Sequence, residues 1–420
     1  MSTRRPVITG AGVVSAGAVG TADFWSLLIS GSTATRGITH FDPAGFRSRI
    51  AAECDFDPEA AGLSEREATE LDRAAQFALT CAREALADSR LELEAVPRHR
   101  MAVVVGSAVG CTISLEREYL AVSGRGARWE VDQSVASPLL HSFLVPSSVP
   151  GTIAAAMGVR GRVSLISNGC TSGLDAVCHA ARLISDGTAD VAFAGACDAP
   201  ISPITMACFD AIKATSPDNH DPAHASRPFD MTRNGFVLGE GAAMFVIEEL
   251  AAARERGAHV YAEVAGYASR ANALHMTGLD AEGQEMSEAI NVAMSRAGLG
   301  PADIDYVNAH GSGTRQNDRH ETAAFKRSLG EHAYRVPVSS IKSAVGHSLG
   351  AIGAVELAAC ALAIDTDVVP PTANLNHPDP DCDLDYVPIN ARKHRTDTVL
   401  SVGSGFGGFQ TAVILQATPA

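Results

Sequence analysis

Two helical stretches in this chain have no wide polar face. Leu174–Ile184, inside VSLISNGCTSGLDAVCHAARLI, and Leu349–Ile364, inside VPVSSIKSAVGHSLGAIGAVELAACALAI, are nearly continuous runs of small apolar residues. A helix at the edge of a domain shows a charged stripe to water, and these two do not. Each must therefore be covered on all sides, between layers. That needs more layers than a three-layer α/β sandwich. A bilayer is not the expected cover, because no run of about 18 uncharged apolar residues is present.

The two stretches are also one of three matched pairs. LDRAAQFALTCAREALADS followed by MAVVVGSAVG reads as a helix and then a buried strand, as does EMSEAINVAMSRAGL followed by DIDYVNAHGSG. The apolar helices each follow a strand and a turn. FVLGEGAAMFVIEE and LSVGSGFGGFQTAVILQ each read as a hairpin, two apolar runs joined by a glycine-rich turn. Three stations in one order predict a duplicated strand–helix unit, with halves at residues 1–256 and 257–420. The fold class expected is α/β, mixed sheets covered by helices.

A length of 420 residues suits two packed halves. The net charge of −15 argues against nucleic acid or an anionic membrane as partner. The segment MSTRRPVITGAG lacks the apolar core of a signal peptide, so a cytoplasmic location is the default. The nine cysteines are scattered with no C-x-x-C pair, and no three ligands stand at helical spacing. Neither a dithiol nor a metal site is expected.

Cys170 is the cysteine with a context. Val163–Ser167 reads as a strand, Asn168 and Gly169 break it, and the helical pattern starts at Thr171. The thiol then sits at a helix N-terminus, where free N–H groups and the dipole favour thiolate. The turn resembles a nucleophile elbow, although Asn168 stands where G-x-C-x-G needs glycine. On the residues alone, a nucleophile and a buried structural thiol both remain open. Two histidines occupy matching strand ends in the second half: His310 in NAHGSGT, and His347 in SSIKSAVGHSLGAIG with Lys342 in the same loop. If the halves pack pseudo-symmetrically, these strand ends converge on Cys170. His220, His224, His259, His332, His377 and His394 lie in polar contexts and read as surface. The loop GSGFGGF offers unobstructed N–H groups for an oxyanion, or is simply a glycine turn.

NGCTSGLDA, NAHGSGT, KSAVGHSLGA and GSGFGGF, in this order and over nearly the whole chain, resemble the β-ketoacyl synthases of the thiolase superfamily. GCTSGLDAV and HGSGTRQNDRHETAAFKRSLGEHAY carry a closer similarity to the ketosynthase alpha subunits of bacterial type II aromatic polyketide synthases. The resemblance implies the five-layer αβαβα thiolase fold and decarboxylative Claisen condensation of malonyl-acyl carrier protein with a Cys170-bound chain. It implies that His310 and His347 assist decarboxylation, and that the N–H groups of Cys170 and Phe406 hold the oxyanion. Lys342, with Glu356 behind it, then supports the histidines; Asp318 and Glu321 are supporting acids. Ser312 and Thr314 fall where the family holds the phosphopantetheine arm. That arm belongs to the acyl carrier protein substrate, and no intrinsic cofactor is implied. Lys213 is the candidate for carrier docking, with Arg66 and Arg73 flanking; a solvated surface charge is the alternative for each. A chain-length-factor subunit is the implied partner, with a homodimer as alternative.

Rival relatives are separated by single residues. A thiolase keeps a second cysteine in the glycine loop, and GSGFGGF has none. A starter-type synthase has asparagine where His347 stands. The non-catalytic chain-length subunit lacks the cysteine that Cys170 supplies. A fatty acid elongation synthase shares all four motifs, and a synthase of reduced or polyene chains remains open. Asn168 is a departure for which the sequence supplies no reason.

Overall fold

The computed structural model describes residues 4–128 and 130–419. Residues 6–249 form β1 (Pro6–Ser15), α1 (Arg73–Ser89), β2 (Met101–Gly106), α2 (Ser148–Met157), β3 (Val163–Ile166), α3 (Ser172–Ser185), β4 (Val191–Asp198) and β5 (Gly241–Glu249), with shorter elements between. Residues 262–416 run through the same order again. They form β6 (Ala262–Ala271), α4 (Gln284–Ala297), β7 (Tyr306–Asn308), α5 (Arg315–Leu329), β8 (Val338–Ser339), α6 (Ile352–Thr366), β9 (Thr398–Gly405) and β10 (Phe409–Gln416).

The strands lie in the order β3-β2-β4-β5-β1-β6-β10-β9-β7-β8. In each five-strand group the three outer strands are parallel and the two nearest the join are antiparallel. The groups meet through two residue pairs, Val7↔Glu263 and Ile8↔Ala262. The pleat sorts side chains by parity. On β2, Ala102 and Val104 enter a central core, while Met101, Val103 and Val105 pack outward with α1 and α2. On β10, Val413 and Leu415 face that same central core, and Ala412 and Ile414 face α4 and α5. The result is five layers, helix–sheet–helix–sheet–helix, with α3 and α6 in the middle.

The middle layer explains the apolar run of α6; α3 departs from the expectation, since Asp175, His179 and Arg182 form a polar stripe along it, the first two half-buried and Arg182 exposed. Every residue of α6 from Ile352 to Ala363 is buried. Leu349–Thr366 is long and apolar enough for a membrane span, yet 83% of it is buried inside the protein. α3 and α6 touch through glycine. A Cβ on Gly173 would lie 2.5 Å from Ala354 N, and one on Gly353 would lie 2.8 Å from Leu174 N. No side chain fits between these backbones. Both contacts sit at the N-terminal ends of the helices, so the loops entering them are forced together.

One expectation fails. FVLGEGAAMFVIEE is not a hairpin. Leu238–Gly239 joins a separate three-stranded sheet with Arg36–Gly37 and Ile50–Ala52. β5 pairs instead with β4 and β1. The antiparallel pair equivalent to β9–β10 is therefore β4–β5, interrupted by residues 199–240. The glycine there serves a close approach rather than a turn: a Cβ on Gly239 would lie 2.8 Å from Val345 O. The expected hairpin at LSVGSGFGGFQTAVILQ does form, as β9–β10. The apolar run from Leu349 opens as a 3-10 turn, Leu349–Ala351, before α6 begins.

Because a methyl group cannot enter the α3–α6 contact without moving backbone, Gly353→Ala is expected to destabilise the protein by about 1–3 kcal/mol. Urea unfolding of the variant against wild type measures it; an unchanged midpoint contradicts the contact.

Candidate active site

Cys170 lies in a 3-10 turn, Gly169–Thr171, that runs into α3. Gly169 holds φ at 57°, a conformation that costs an L-residue strain. A Cβ at Gly169 would also lie 3.4 Å from Phe406 O. The turn is bonded internally: Asn168 N donates to Ser172 Oγ (2.9 Å), and Ser172 Oγ donates to Gly169 O (2.6 Å). Cys170 is half-buried and opens into a cavity of ≈ 500 Å³. His310, His347, Ser312, Thr314 and Phe406 line the same cavity.

The two imidazoles meet edge to face, with ring centroids 5.3 Å apart at 80°. His347 Nδ1 accepts from Leu349 N (3.2 Å), which leaves the proton of the neutral ring on Nε2. Its backbone is stitched to residues 237–239: His347 N donates to Val237 O (2.8 Å), and Gly239 N to His347 O (2.9 Å). His310 follows β7, and its backbone N–H donates to Glu321 Oε1 on α5. Gly311 N donates to the other oxygen of Glu321 at 2.8 Å.

Lys342 is buried at the start of the short helix Lys342–Val345, and its ammonium bonds Glu356 on α6. It also donates to the His310 carbonyl at 2.5 Å. Lys342 therefore acts on His310 through the main chain and through its charge. Asp318 Oδ2 is 2.9 Å from Arg233 Nε and accepts from Phe229 N at 2.9 Å; Asp318 Oδ1 accepts from Gly313 N at 3.3 Å. Both side chains of that ion pair are fully buried. Asp318 and Glu321 thus hold the backbone from His310 to Gly313. Ser312 Oγ and Thr314 Oγ1 lie 3.0 Å apart facing the cavity, and Thr314 also caps α5 by accepting from Asn317 N.

Burial dominates the protonation of this site. It pushes the Cys170 thiol up to about 12, against the pull of the Lys342 charge and of the Phe406 N–H. Burial thus works against the thiolate that a helix N-terminus favours. Burial and the Lys342 charge hold both His310 and His347 well below the usual histidine range. Both rings are neutral at neutral pH. Burial lifts Glu321 to about 8 and Glu356 to about 7, the latter opposed by Lys342.

Other expected residues fall elsewhere. Lys213 is exposed and lines the cavity mouth. Arg66 is exposed, outside the cavity lining, and bonds Glu70 at 2.8 Å. Arg73 is half-buried and bonds both oxygens of Glu240 (2.7 and 3.0 Å) and Cys54 O (2.8 Å). Among the histidines read as surface, His332 and His394 are half-buried and bond the carbonyls of Ile304 and Asp305, at 2.7 and 2.9 Å.

The sequence reading missed four contributors, Phe209, Arg233, Phe236 and Asp198. Phe209, Arg233 and Phe236 wall the cavity from the 199–240 excursion, which the hairpin reading had hidden. Asp198 ends β4 fully buried and accepts from Ser107 Oγ, Ala108 N, Val109 N and Gly350 N, at 2.6 to 3.2 Å. Asn168 acquires its reason here: its Nδ2 donates to Asp175 Oδ2 at 2.8 Å. Asp175, the one carboxylate of α3, was the available signal for that bond.

A thiol, two neutral imidazole N–H groups and a glycine loop around one cavity suit acyl transfer with enolate stabilisation. Comparison with known proteins agrees. Residues 3–253 match the model of the beta-ketoacyl synthase N-terminal domain, and residues 261–376 that of the C-terminal domain. The tetracenomycin polyketide synthase ketoacyl synthase alpha subunit of Streptomyces glaucescens is 63% identical over 412 residues, 98% of this chain and 97% of that protein. A solved type II polyketide synthase acyl carrier protein in complex with its ketosynthase, bound to the hexaketide, superposes with TM-score 0.92 at 36% identity, covering 99% of this chain and 100% of that one. The ishigamide ketosynthase/chain length factor superposes with TM-score 0.90 at 31% identity, covering 100% of both chains. With its fold, its cavity and both halves of its length in agreement, the chain belongs to the β-ketoacyl synthase family of acyl-transferring condensing enzymes.

Proposed function

We propose that this chain is the ketosynthase alpha subunit of a type II polyketide synthase, extending a Cys170-bound chain with malonyl units delivered by an acyl carrier protein. Residues 1–256 supply the nucleophile, and residues 257–420 supply the imidazoles and the glycine loop. The observation that carries the reading is the single cavity shared by Cys170, His310 and His347, in a chain 63% identical to a ketosynthase alpha subunit.

The chemistry follows from the protonation states. Cys170 Sγ attacks the carrier-bound thioester as its proton passes to a neutral imidazole. The N–H groups of Cys170 and Phe406 hold the tetrahedral oxyanion. The imidazole then returns the proton to the departing phosphopantetheine thiol. Malonyl thioester enters next, its arm along Ser312 and Thr314. Its carboxylate leaves as CO2, and the electron pair of the broken C–C bond becomes an enolate whose oxygen takes hydrogen bonds from His347 Nε2–H and the His310 ring. Lys342 disfavours protonation of either ring, so the proton taken from Cys170 is held only until it passes to the departing thiol, and both rings are neutral N–H donors when malonyl thioester is bound. The enolate carbon attacks the acyl-Cys170 carbonyl, the same oxyanion site serves again, and Cys170 leaves as thiolate and is reprotonated.

Lys213 at the cavity mouth is the docking charge for the acidic carrier. The partner subunit is a chain-length factor. The nine free cysteines suit a reducing, cytoplasmic setting. A fatty acid elongation synthase remains the alternative, because it shares the mechanism, and partnering separates the two.

Reconstitution with malonyl-acyl carrier protein, with and without a chain-length-factor subunit, tests the reading; poly-β-ketone product, read by mass, is expected only with the partner. Full activity of the chain alone favours the fatty acid reading. Cys170→Ser is expected to lower chain transfer to roughly a thousandth or less, and His347→Ala to slow malonyl decarboxylation by about 10²–10³-fold. Because burial holds the thiol near 12, the rate of Cys170 alkylation by iodoacetamide is expected to climb about tenfold per pH unit from pH 7 to 9. A plateau inside that range shows a thiolate already formed.

A further inference from the structure

One carboxylate beside the nucleophile has no part in the chemistry above. Asp175 lies in the first turn of α3 and is half-buried. A helix N-terminal carboxylate commonly accepts from the free N–H groups of its own helix. The bonds of Asp175 go instead to side chains of three other positions. Its Oδ2 accepts from Asn168 Nδ2 (2.8 Å) and Thr171 Oγ1 (2.9 Å), and its Oδ1 accepts from Thr411 Oγ1 (2.8 Å).

Those donors are placed on the two segments that must stay in register. Asn168 and Thr171 bracket Cys170. Thr411 lies on β10, directly opposite Gly403 of β9, and β9 runs into Phe406. The segments are in backbone contact: a Cβ on Gly405 would lie 3.2 Å from Asn168 O and 3.3 Å from Cys170 N. The Cys170 and Phe406 N–H groups therefore come from chain segments far apart in sequence. Van der Waals contact limits how close they come, while a polar tie limits how far they part. Asp175 supplies that tie, with one oxygen on each segment.

We infer that Asp175, with Asn168 and Thr411, is a positioning clamp that sets the separation of the Cys170 and Phe406 N–H groups, and through it the stabilisation of the thioester oxyanion. The inference rests on the ketosynthase reading. It also gives Asn168 a purpose: alanine has no donor for Asp175. Hydrogen bonds to an oxyanion act only within a narrow range, so a small displacement of one donor costs rate at the carbonyl without disturbing the sulfur.

Two reactions of the same sulfur separate positioning from general damage. Iodoacetamide is attacked at a saturated carbon: the S–C bond forms as iodide leaves, with no oxyanion. Transfer from an acyl N-acetylcysteamine thioester passes through one. In Thr411→Val, acyl transfer to Cys170 is expected to fall roughly 10- to 100-fold through kcat, while alkylation stays within about threefold of wild type. Thr411→Ser, which keeps the hydroxyl, is expected to recover most of that loss. If Thr411→Val lacks a cooperative melting transition, Asn168→Ala gives the same comparison, since the backbone bonds of the turn survive it. Equal loss in both reactions, or no loss in either, overturns the clamp. Wild-type protein that is alkylated at Cys170 yet takes no acyl group overturns the ketosynthase reading, and the clamp with it.

Discussion

The contact between α3 and α6 at Gly173 and Gly353 is the constraint on which the site depends. α6 is buried from Ile352 to Ala363 and α3 on its apolar side, and each begins at this crossing. The strand ends that precede the helices therefore empty into one place. Cys170 precedes α3 and His347 precedes α6, so a duplicated unit with different residues at equivalent stations becomes one site. A side chain at the crossing would part the two N-termini, and with them the thiol and the imidazole. The backbone bonds between Val237–Gly239 and His347 hold the same junction from the other side.

A second consequence of the five layers is dryness. Residues at the centre of the stack lose water on both sides, and the protonation states follow. Burial raises the Cys170 thiol to about 12, lowers both histidines and raises Glu321 to about 8. In the proposed decarboxylation a neutral imidazole still has one N–H to offer the developing enolate oxygen. Lys342 contributes twice, by anchoring the His310 carbonyl and by placing a positive charge that discourages protonation of both rings. Burial opposes the thiolate that the helix N-terminus at Cys170 favours.

Much of the architecture was legible because repetition is visible in a string. The apolar α6 and the first two paired stations appear in the layers as expected, whereas the hairpin at FVLGEGAAMFVIEE does not form and α3 keeps a polar stripe. The errors share one cause. The G-E-G stretch reads locally as a turn, but Gly239 is there because the Val345–His347 backbone passes against it. Arg73 reads as a helical surface charge, but Glu240 from another segment claims it. His332 and His394 lie among polar neighbours, yet carbonyls of residues distant in sequence hold them. Asn168 looked arbitrary until Asp175 and Thr411 were seen on the same side of the turn.

The amino-acid order by itself determined the repeated order of elements, the burial of α6 and the types of reactive group at strand ends. These depend on spacing along one chain, which a sequence records directly. Which groups meet was decided only by the tertiary structure. The cavity wall from residues 199–240, the reach of Lys342 to a main-chain carbonyl, and the burial that raises the Cys170 thiol all depend on distance and water exclusion. Those quantities are set by packing between segments far apart in sequence, and no local pattern encodes them.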